Sequence, residues 1–259
     1  MLVVELQEDV QNVLGDYKRQ EIVLNLVEED AVARFVVAFL IYIHTRFNQF
    51  FNMTPDAMLK ILEKSGKPLQ SFKKGDSIHV SNTMVKSYIY TLEEAPGTNF
   101  APDFKPHFTP GQMLRLGVFE GKYLNDCLLE FPQEWFIDAI TMDKLRPEGP
   151  DIEVNLFKIH SRLPLKEWKK AGWVSSSNKS SRYPDLSDAS KNPDERGWFQ
   201  WYCRYWMGRR CPIDTIQIKR WKAFARHSGA VSKNCKGGDI SCRPRQRQAL
   251  LQWSWNPFV

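Results

Sequence analysis

The segment that is most informative about the fold is Gly197-Trp198-Phe199-Gln200-Trp201-Tyr202-Cys203-Arg204-Tyr205-Trp206-Met207-Gly208. Placed on a helix at about 100° per residue, it is aromatic or apolar around most of its circumference, and one narrow stripe holds Gln200 and Arg204. A helix with so little polar surface is typical of a protein core. We therefore predict a buried central helix. The alternative, a platform for stacking bases, requires several of these rings to be exposed.

Three arginines on or just after this helix have either a structural or a binding role. Arg204 lies on the polar stripe, so its burial requires either an interhelical ion pair or a bound anion. Arg209 and Arg210 come in the last turn, where cations face the negative end of the helix dipole. All three are candidate phosphate contacts.

The charge of the chain is distributed unevenly along its length. Residues 1–150 carry 15 basic and 21 acidic side chains, a net charge of −6, and the whole chain carries +6, so residues 151–259 carry +12. Residues 196–259 hold 13 basic and two acidic side chains, a net charge of +11. This asymmetry predicts a polyanionic partner, DNA or RNA, or an acidic protein surface.

Two further helices are predicted in the basic segment. Asp214 and Gln217 have the spacing of a capping box, which predicts a helix that begins there and runs through Arg226. Lys219, Lys222 and Arg226 share one face of this helix, which is either a solvated surface or a phosphate-binding surface.

The second of these helices begins near Pro244, which suits a first helical turn. Arg243, Arg245 and Arg247 place positive charge at its N-terminus, where positive charge is unfavourable. A phosphate bound at the helix N-terminus would turn this repulsion into attraction, so these three arginines complete the predicted phosphate-binding set.

Helical signals also occur before the central stretch. Amphipathic patterns predict helices over residues 2–14 and 17–28 and a nearly all-apolar helix that ends at about Phe51. Thr54-Pro55 and Thr109-Pro110 each combine a capping threonine with a proline at the first helical position, and they begin helices that end at Gly66 and Gly117. A short helix follows Pro132.

Residues 67–108 show a different pattern: residues 77–81 alternate, and residues 87–91 suit a strand or a short helix. This region therefore forms either a small β-hairpin or an extended excursion. The polar residues 174–195 predict an exposed, mobile loop. The predicted fold is mainly α, a multi-helix globular bundle. We divide it into an acidic helical region, 1–108, and a second helical region, 109–259.

The sequence contains no signal peptide and no transmembrane segment, so we expect a soluble intracellular protein of the cytoplasm or nucleus. Its five cysteines include no CxxC pair and are predicted to be reduced thiols. Cys235, Cys242 and His227 do not have the spacing of common zinc ligands. We expect no metal and no cofactor.

No common catalytic motif is present: the sequence lacks a P-loop, a GxGxxG turn, an HExxH pair and a GxSxG elbow. The glycine-flanked turn at Gly117 and Gly121 is either a connection between helices or one wall of a pocket. In the second case, Lys122, Tyr123 and Asp126 are the candidate pocket residues. Whether the protein is an enzyme stays open.

The stretch Gly197–Tyr205 with Gly208-Arg209-Arg210, followed by Gln217–Trp221 and Arg245–Trp253, resembles an uncharacterised family found in plants, fungi, protists and microbes. The segments Leu116–Tyr123 and Glu130–Phe136 extend the resemblance over about residues 109–258. The family has no established activity, so the resemblance implies no catalytic residue.

Three hypotheses follow from the sequence. The first is a nucleic-acid-associated protein that contacts phosphates through its basic C-terminal helices. The second is a structural or scaffolding protein that docks on an acidic partner or associates with itself through its oppositely charged halves. The third is an enzyme that acts on nucleotides or modified bases, which a pocket holding Lys122, Tyr123 and Arg204 would favour.

Overall fold

The computed structural model describes residues 53–82, 86–160, 163, 165–170, 184–188 and 190–259. These residues are mostly helical, and the described strands form one two-stranded sheet, which confirms the predicted fold class. The helices predicted over residues 2–14, 17–28 and up to Phe51 lie outside the described residues.

The described elements follow one another along the chain. The helices are α1 (Pro55–Ser65), α2 (Pro110–Leu116), α3 (Gln133–Thr141), α4 (Leu165–Lys170), α5 (Pro184–Ser187), α6 (Trp198–Met207), α7 (Asp214–Ala223), α8 (Ala225–Asn234) and α9 (Pro244–Gln252). The strands β1 (Ser77–Ser81) and β2 (Lys86–Thr91) stand between α1 and α2. Short 3₁₀ turns occur at Leu69–Ser71, Phe119–Gly121 and Ile152–Val154.

The excursion at 67–108 contains an antiparallel hairpin. Ile78 pairs with Tyr90, and both are buried, whereas the next pair in the register, His79 and Ile89, is exposed. Successive side chains of a strand point to opposite faces of the sheet, so burial alternates when one face of a strand pair packs on a core. Of the two alternatives that the sequence left open, the structure shows the hairpin.

Local capping chemistry begins two of the helices as predicted. The Thr54 hydroxyl accepts from the Ala57 N–H at 3.2 Å at the start of α1. At the start of α2, the Thr109 hydroxyl accepts from the Gln112 N–H and the Gln112 side chain accepts from the Thr109 N–H. This reciprocal pair satisfies two donors that a helix end would otherwise leave open.

The capping box predicted at Asp214 is wrong. Asp214 is the first residue of α7, and its carboxylate accepts from the Trp201 indole N–H at 2.8 Å and from the Cys211 N–H at 2.9 Å. It therefore joins the start of α7 to α6. The helix also ends earlier than predicted, at Ala223, and α8 begins at Ala225.

Helix α6 lies in the core, as its aromatic circumference predicts. Trp206 is half-buried and every other residue of α6 is buried. The ring of Phe104 lies edge-on to the rings of Trp201, Tyr202 and Trp221, at centroid distances of 5.6, 5.7 and 4.9 Å. Residues on both sides of position 108 thus contribute to one core.

The prediction of an exposed, mobile loop over 174–195 is wrong for its last part. Residues 174–183 and 189 lie outside the described residues. Asn192 and Asp194 are fully buried, and the Asn192 amide donates to the Leu186 carbonyl at 2.7 Å. Asp194 is buried because two arginines neutralise it, a contact that the composition of the loop could not indicate.

The cysteine prediction is wrong for one pair. Cys235 and Cys242 form a disulfide that joins the residue after α8 to the residue two positions before α9. Cys127, Cys203 and Cys211 are free. In the described part of the chain, no helix has both the length and the apolar character required to cross a membrane.

Candidate functional site

Arg204 forms the ion pair that was one of its two predicted roles. It is fully buried, and its Nε and Nη2 donate to the two carboxylate oxygens of Glu130 at 2.6 and 3.2 Å. Its Nη1 donates to Asp194 at 2.9 Å and to the Pro193 carbonyl at 3.0 Å. The donors of this buried guanidinium are used within the protein, and removal of either partner would leave an uncompensated buried charge.

Arg209 completes this buried cluster. Its Nη1 and Nη2 donate to the two carboxylate oxygens of Asp194 at 2.8 and 2.5 Å. Burial alone would raise the pKa of Asp194, but Arg209 and Arg204 outweigh it and hold that pKa below its ordinary value. Two arginines and two carboxylates therefore form a neutral unit in the core.

Two more predicted phosphate contacts hold the chain together. Arg247 is buried, and its guanidinium donates to the carbonyls of Asp239, Cys242, Pro257 and Val259. Arg210 is half-buried, stacks on the Tyr205 ring and donates to the carbonyls of Thr98, Asn99, Tyr205 and Arg209. Arg204, Arg209 and Arg247 are thus buried, and these three residues and Arg210 all donate to partners within the protein.

The remaining predicted cations are at the surface. Lys219, Lys222, Arg226 and Arg245 are exposed, and Arg243 is half-buried. Lys222 forms an ion pair with Asp103, and Arg226 donates to the Ala223 carbonyl at 3.2 Å. In the described residues, no ion pair involves Lys219, Arg226, Arg243 or Arg245.

Few carboxylates stand near these cations in the sequence. Residues 212–259 carry nine basic side chains and two acidic ones, Asp214 and Asp239. Asp214 is used by Trp201 and Cys211, and Asp239 accepts from Ser241 and Cys242 at the turn before α9. The last three helices therefore present an excess of positive charge. We call Lys219, Lys222, Arg226, Arg243 and Arg245 the basic surface.

The candidate pocket residues Lys122, Tyr123 and Asp126 contact other parts of the chain. Asp126 accepts two hydrogen bonds from the guanidinium of Arg196, and the buried Tyr123 hydroxyl donates to the Arg196 carbonyl. Lys122 is exposed and donates to the Glu148 carbonyl at 3.4 Å. Tyr123 and Asp126 thus join the turn to the segment before α6, and Arg204 has different partners.

The structure instead shows a cavity that the sequence did not predict. It has a volume of about 380 Å³, within the range of small-molecule sites, and it lies between α6, the junction of α7 and α8, and α9. Six rings line it: Phe119, Trp198, Phe199, Phe224, His227 and Trp253. Three arginines line it as well, Arg220, Arg226 and Arg245, together with the amides of Gln246 and Gln252.

The rings beside the cavity pack on one another in two groups. Phe224 lies parallel to Trp253 at 4.8 Å with an interplanar angle of 9°, and Trp253 stacks on Trp198 at 4.8 Å. His227 contacts Phe224 at 4.4 Å, and Phe119 contacts Phe199 at 4.9 Å. Since each ring is held by another ring, the walls of the cavity are preformed.

The backbone around Phe119 is unusual. Phe119 and Glu120 both have left-handed backbone angles, with φ of 54° and 59°. Gly117, with φ of 90°, lies so close to Val154 that a Cβ would stand 1.9 Å from its carbonyl oxygen. Non-glycine residues rarely adopt this conformation, so the surrounding contacts must hold Phe119 in place at the cavity.

The polar groups of the cavity favour a negatively charged ligand. Among the described residues that line it there is no carboxylate. Arg220 is held by the Gln217 side chain at 2.7 Å and by the Trp253 ring, whereas Arg226 and Arg245 are exposed at the surface. Burial and the nearby Arg226 lower the pKa of His227, so this ring is uncharged at neutral pH.

One buried donor in the cavity wall has no partner. Trp198 is 4% exposed, and in the described part of the chain its indole N–H makes no hydrogen bond. A buried donor left without an acceptor is unfavourable, and such groups are uncommon in native proteins.

Comparison of the chain with protein-family models, with curated proteins and with solved structures found no match. The interpretation of this site therefore depends on its own chemistry.

Proposed function

We propose that the protein binds nucleic acid and holds its phosphates on the basic surface of α7, α8 and α9. The observation that carries this proposal is the exposure of Lys219, Arg226 and Arg245 on three consecutive helices with few carboxylates among them. Surface cations that lack acidic neighbours attract a polyanion and release its counterions on binding.

The buried arginines sharpen this proposal. Arg204 and Arg209 are neutralised inside the protein, and Arg247 binds backbone carbonyls, so among the predicted phosphate contacts the charge available to a partner is that of the basic surface. The contribution of Lys222 is reduced by its ion pair with Asp103. The basic surface consists of five side chains, so its contribution to binding is modest. We therefore predict a moderate affinity for nucleic acid.

Charge reversal of three cations on α7 and α8 tests the proposal. We expect the triple variant Lys219→Glu, Lys222→Glu, Arg226→Glu to lose at least about tenfold in affinity for a labelled oligonucleotide at about 50 mM salt, because each cation that contacts a phosphate contributes to binding. Fluorescence anisotropy measures this loss.

The matched control reverses the same number of charges elsewhere. Lys60, Lys64 and Lys67 are exposed in and just after α1, so the variant Lys60→Glu, Lys64→Glu, Lys67→Glu has the same net charge as the test variant. We expect the control to bind much more tightly than the test variant. Equal losses in the two variants would show that net charge alone attracts the oligonucleotide and would contradict a defined surface.

The scaffolding hypothesis predicts a different result. A protein that docks on an acidic partner, or on another copy of itself, would bind oligonucleotides weakly at about 50 mM salt and would associate in a manner that salt reverses. Light scattering of the purified protein at low and high salt distinguishes this behaviour from oligonucleotide binding.

A further inference from the structure

The walls of the cavity indicate a flat, aromatic ligand. Six of the lining residues carry rings, and the aliphatic side chains that line it are Leu163 and Ala249. An aliphatic chain would gain little from such walls over ordinary apolar ones, whereas an aromatic ligand gains stacking and edge contacts with rings. Every nucleobase has a π-face that can stack in this way.

The mouth of the same cavity indicates a negative charge on that ligand. Arg226 on α8 and Arg245 on α9 both line the cavity and are both exposed, so they join the cavity to the basic surface. Phosphate oxygens are the usual partners of such arginines in nucleic-acid complexes.

The interior of the cavity supplies hydrogen-bonding groups for a base edge. Gln246 and Gln252 line the cavity, and their side-chain amides can both donate and accept hydrogen bonds. Carbonyl oxygens and ring nitrogens on the edge of a nucleobase can accept hydrogen bonds from such amides.

We infer that the cavity binds the base of an unpaired nucleotide while Arg226 and Arg245 hold its phosphate. This inference rests on the proposed function and extends it, since it names single-stranded nucleic acid as the preferred form. A paired base has its edges occupied and its faces stacked, so it would have to leave the duplex before it could enter.

Three probes test the inference: a labelled single strand of about twelve nucleotides, the blunt duplex of the same sequence, and a nucleoside 5′-monophosphate as competitor. We expect the single strand to bind at least about tenfold more tightly than the duplex, the order of magnitude that one base stacked on a ring contributes. Competition by the monophosphate shows whether the cavity binds a free nucleotide as well as a nucleotide within a strand.

Two cavity variants and one control locate the site. Phe224→Ala removes a wall, and Ala249→Leu fills space, so each should weaken single-strand binding about tenfold and leave duplex binding unchanged. Ala223→Leu is the matched control, because Ala223 is exposed at the end of α7 and does not line the cavity. Thermal unfolding of all three variants shows whether each one is folded.

Photocrosslinking gives a second measurement that needs no variant. A single strand that carries 5-iodouracil should crosslink to peptides that contain Trp198, Phe224 or Trp253. Crosslinks confined to lysine-rich peptides outside the cavity would overturn the inference.

The outcomes separate the inference from the proposed function. Equal binding of strand and duplex, unaffected by the cavity variants, would overturn the cavity inference and leave the phosphate surface standing. A monophosphate that binds in the cavity while no oligonucleotide binds at about 50 mM salt would support the base site and overturn the proposed function. If no probe binds, both are overturned.

Discussion

Arg204 is the residue on which the centre of the fold depends. It joins Glu130, from the segment before α3, to Asp194, from the segment before α6, and its guanidinium lies over the Tyr88 ring of the hairpin at 5.2 Å. One side chain on α6 thus contacts three other parts of the chain. The stability of the protein should therefore be sensitive to this position.

We expect Arg204→Met to lower the free energy of unfolding by about 3–5 kcal/mol, because it leaves two buried carboxylates with too few partners. The control Arg115→Met lies on the exposed face of α2 and should change this free energy by less than about 0.5 kcal/mol. Urea denaturation measures both. A loss below about 1 kcal/mol for Arg204→Met would contradict the buried cluster.

Asp194 makes part of this stability depend on pH. Its pKa in the folded state lies below the ordinary value of 3.8, because Arg209 and Arg204 outweigh the effect of burial. A carboxyl whose pKa is depressed on folding stabilises the protein above its unfolded-state pKa, and this contribution is lost as the pH falls through the folded-state pKa.

The stability difference between the wild type and Asp194→Asn should accordingly be large at about pH 7 and become smaller as the pH falls below about 4. Denaturant titrations of both proteins at several pH values measure this difference. A difference that stays constant down to about pH 3 would show that Asp194 is not held ionised by the arginines.

At the scale of elements, the end of α6 is fixed by close backbone approach. Gly208 has φ of 109°, and its carbonyl accepts from the N–H groups of Glu93 and Glu94. A Cβ at Gly208 would stand 2.0 Å from the Glu94 carbonyl oxygen. The segment that follows the hairpin can therefore contact α6 only because residue 208 has no side chain.

We expect Gly208→Ala to destabilise the fold by more than about 2 kcal/mol, through strain and displacement of Glu94. The control is Gly229→Ala in the interior of α8, where a Cβ would meet no other atom within 4 Å. That control should stabilise the protein by about 0.5–1 kcal/mol, because alanine favours a helix over glycine. The midpoint temperatures of thermal unfolding of the two variants should therefore shift in opposite directions from that of the wild type.

The disulfide between α8 and α9 gives another element-scale prediction. Of the five cysteines, three are free, so an alkylating reagent should modify three thiols when the protein is unfolded without reductant and five when reductant is added. Mass spectrometry counts the modified thiols. Five modified thiols without reductant would contradict the disulfide and restore the sequence-based prediction of reduced cysteines.

The elements that the sequence predicted correctly are those with local signals. The start of α2 is indicated by Thr109 and Pro110, a signal contained within four residues. The burial of α6 is indicated by the aromatic circumference of residues 198–206. The burial of Asp194 was missed because its partners, Arg204 and Arg209, stand 10 and 15 residues away in a different element. No local pattern could have indicated that contact.

The candidate site was predicted in part for the same reason. Exposed cations on α7 and α8 follow from helical spacing, so Lys219, Lys222 and Arg226 were correctly placed on a surface. The cavity brings together rings as distant in sequence as Phe119 and Trp253, which only the folded chain makes neighbours. The sequence indicated this cavity only through a segment that is both basic and rich in aromatic residues.

At the scale of the whole molecule, we propose that the excess positive charge of the last three helices binds nucleic acid. The most direct test is the affinity of the wild-type protein for a labelled single strand, measured by anisotropy between about 50 and 200 mM salt. We predict that the logarithm of the binding constant falls linearly with the logarithm of the salt concentration, with a slope that reports a few released counterions. No binding at about 50 mM salt, or an affinity that does not change with salt, would contradict the claim.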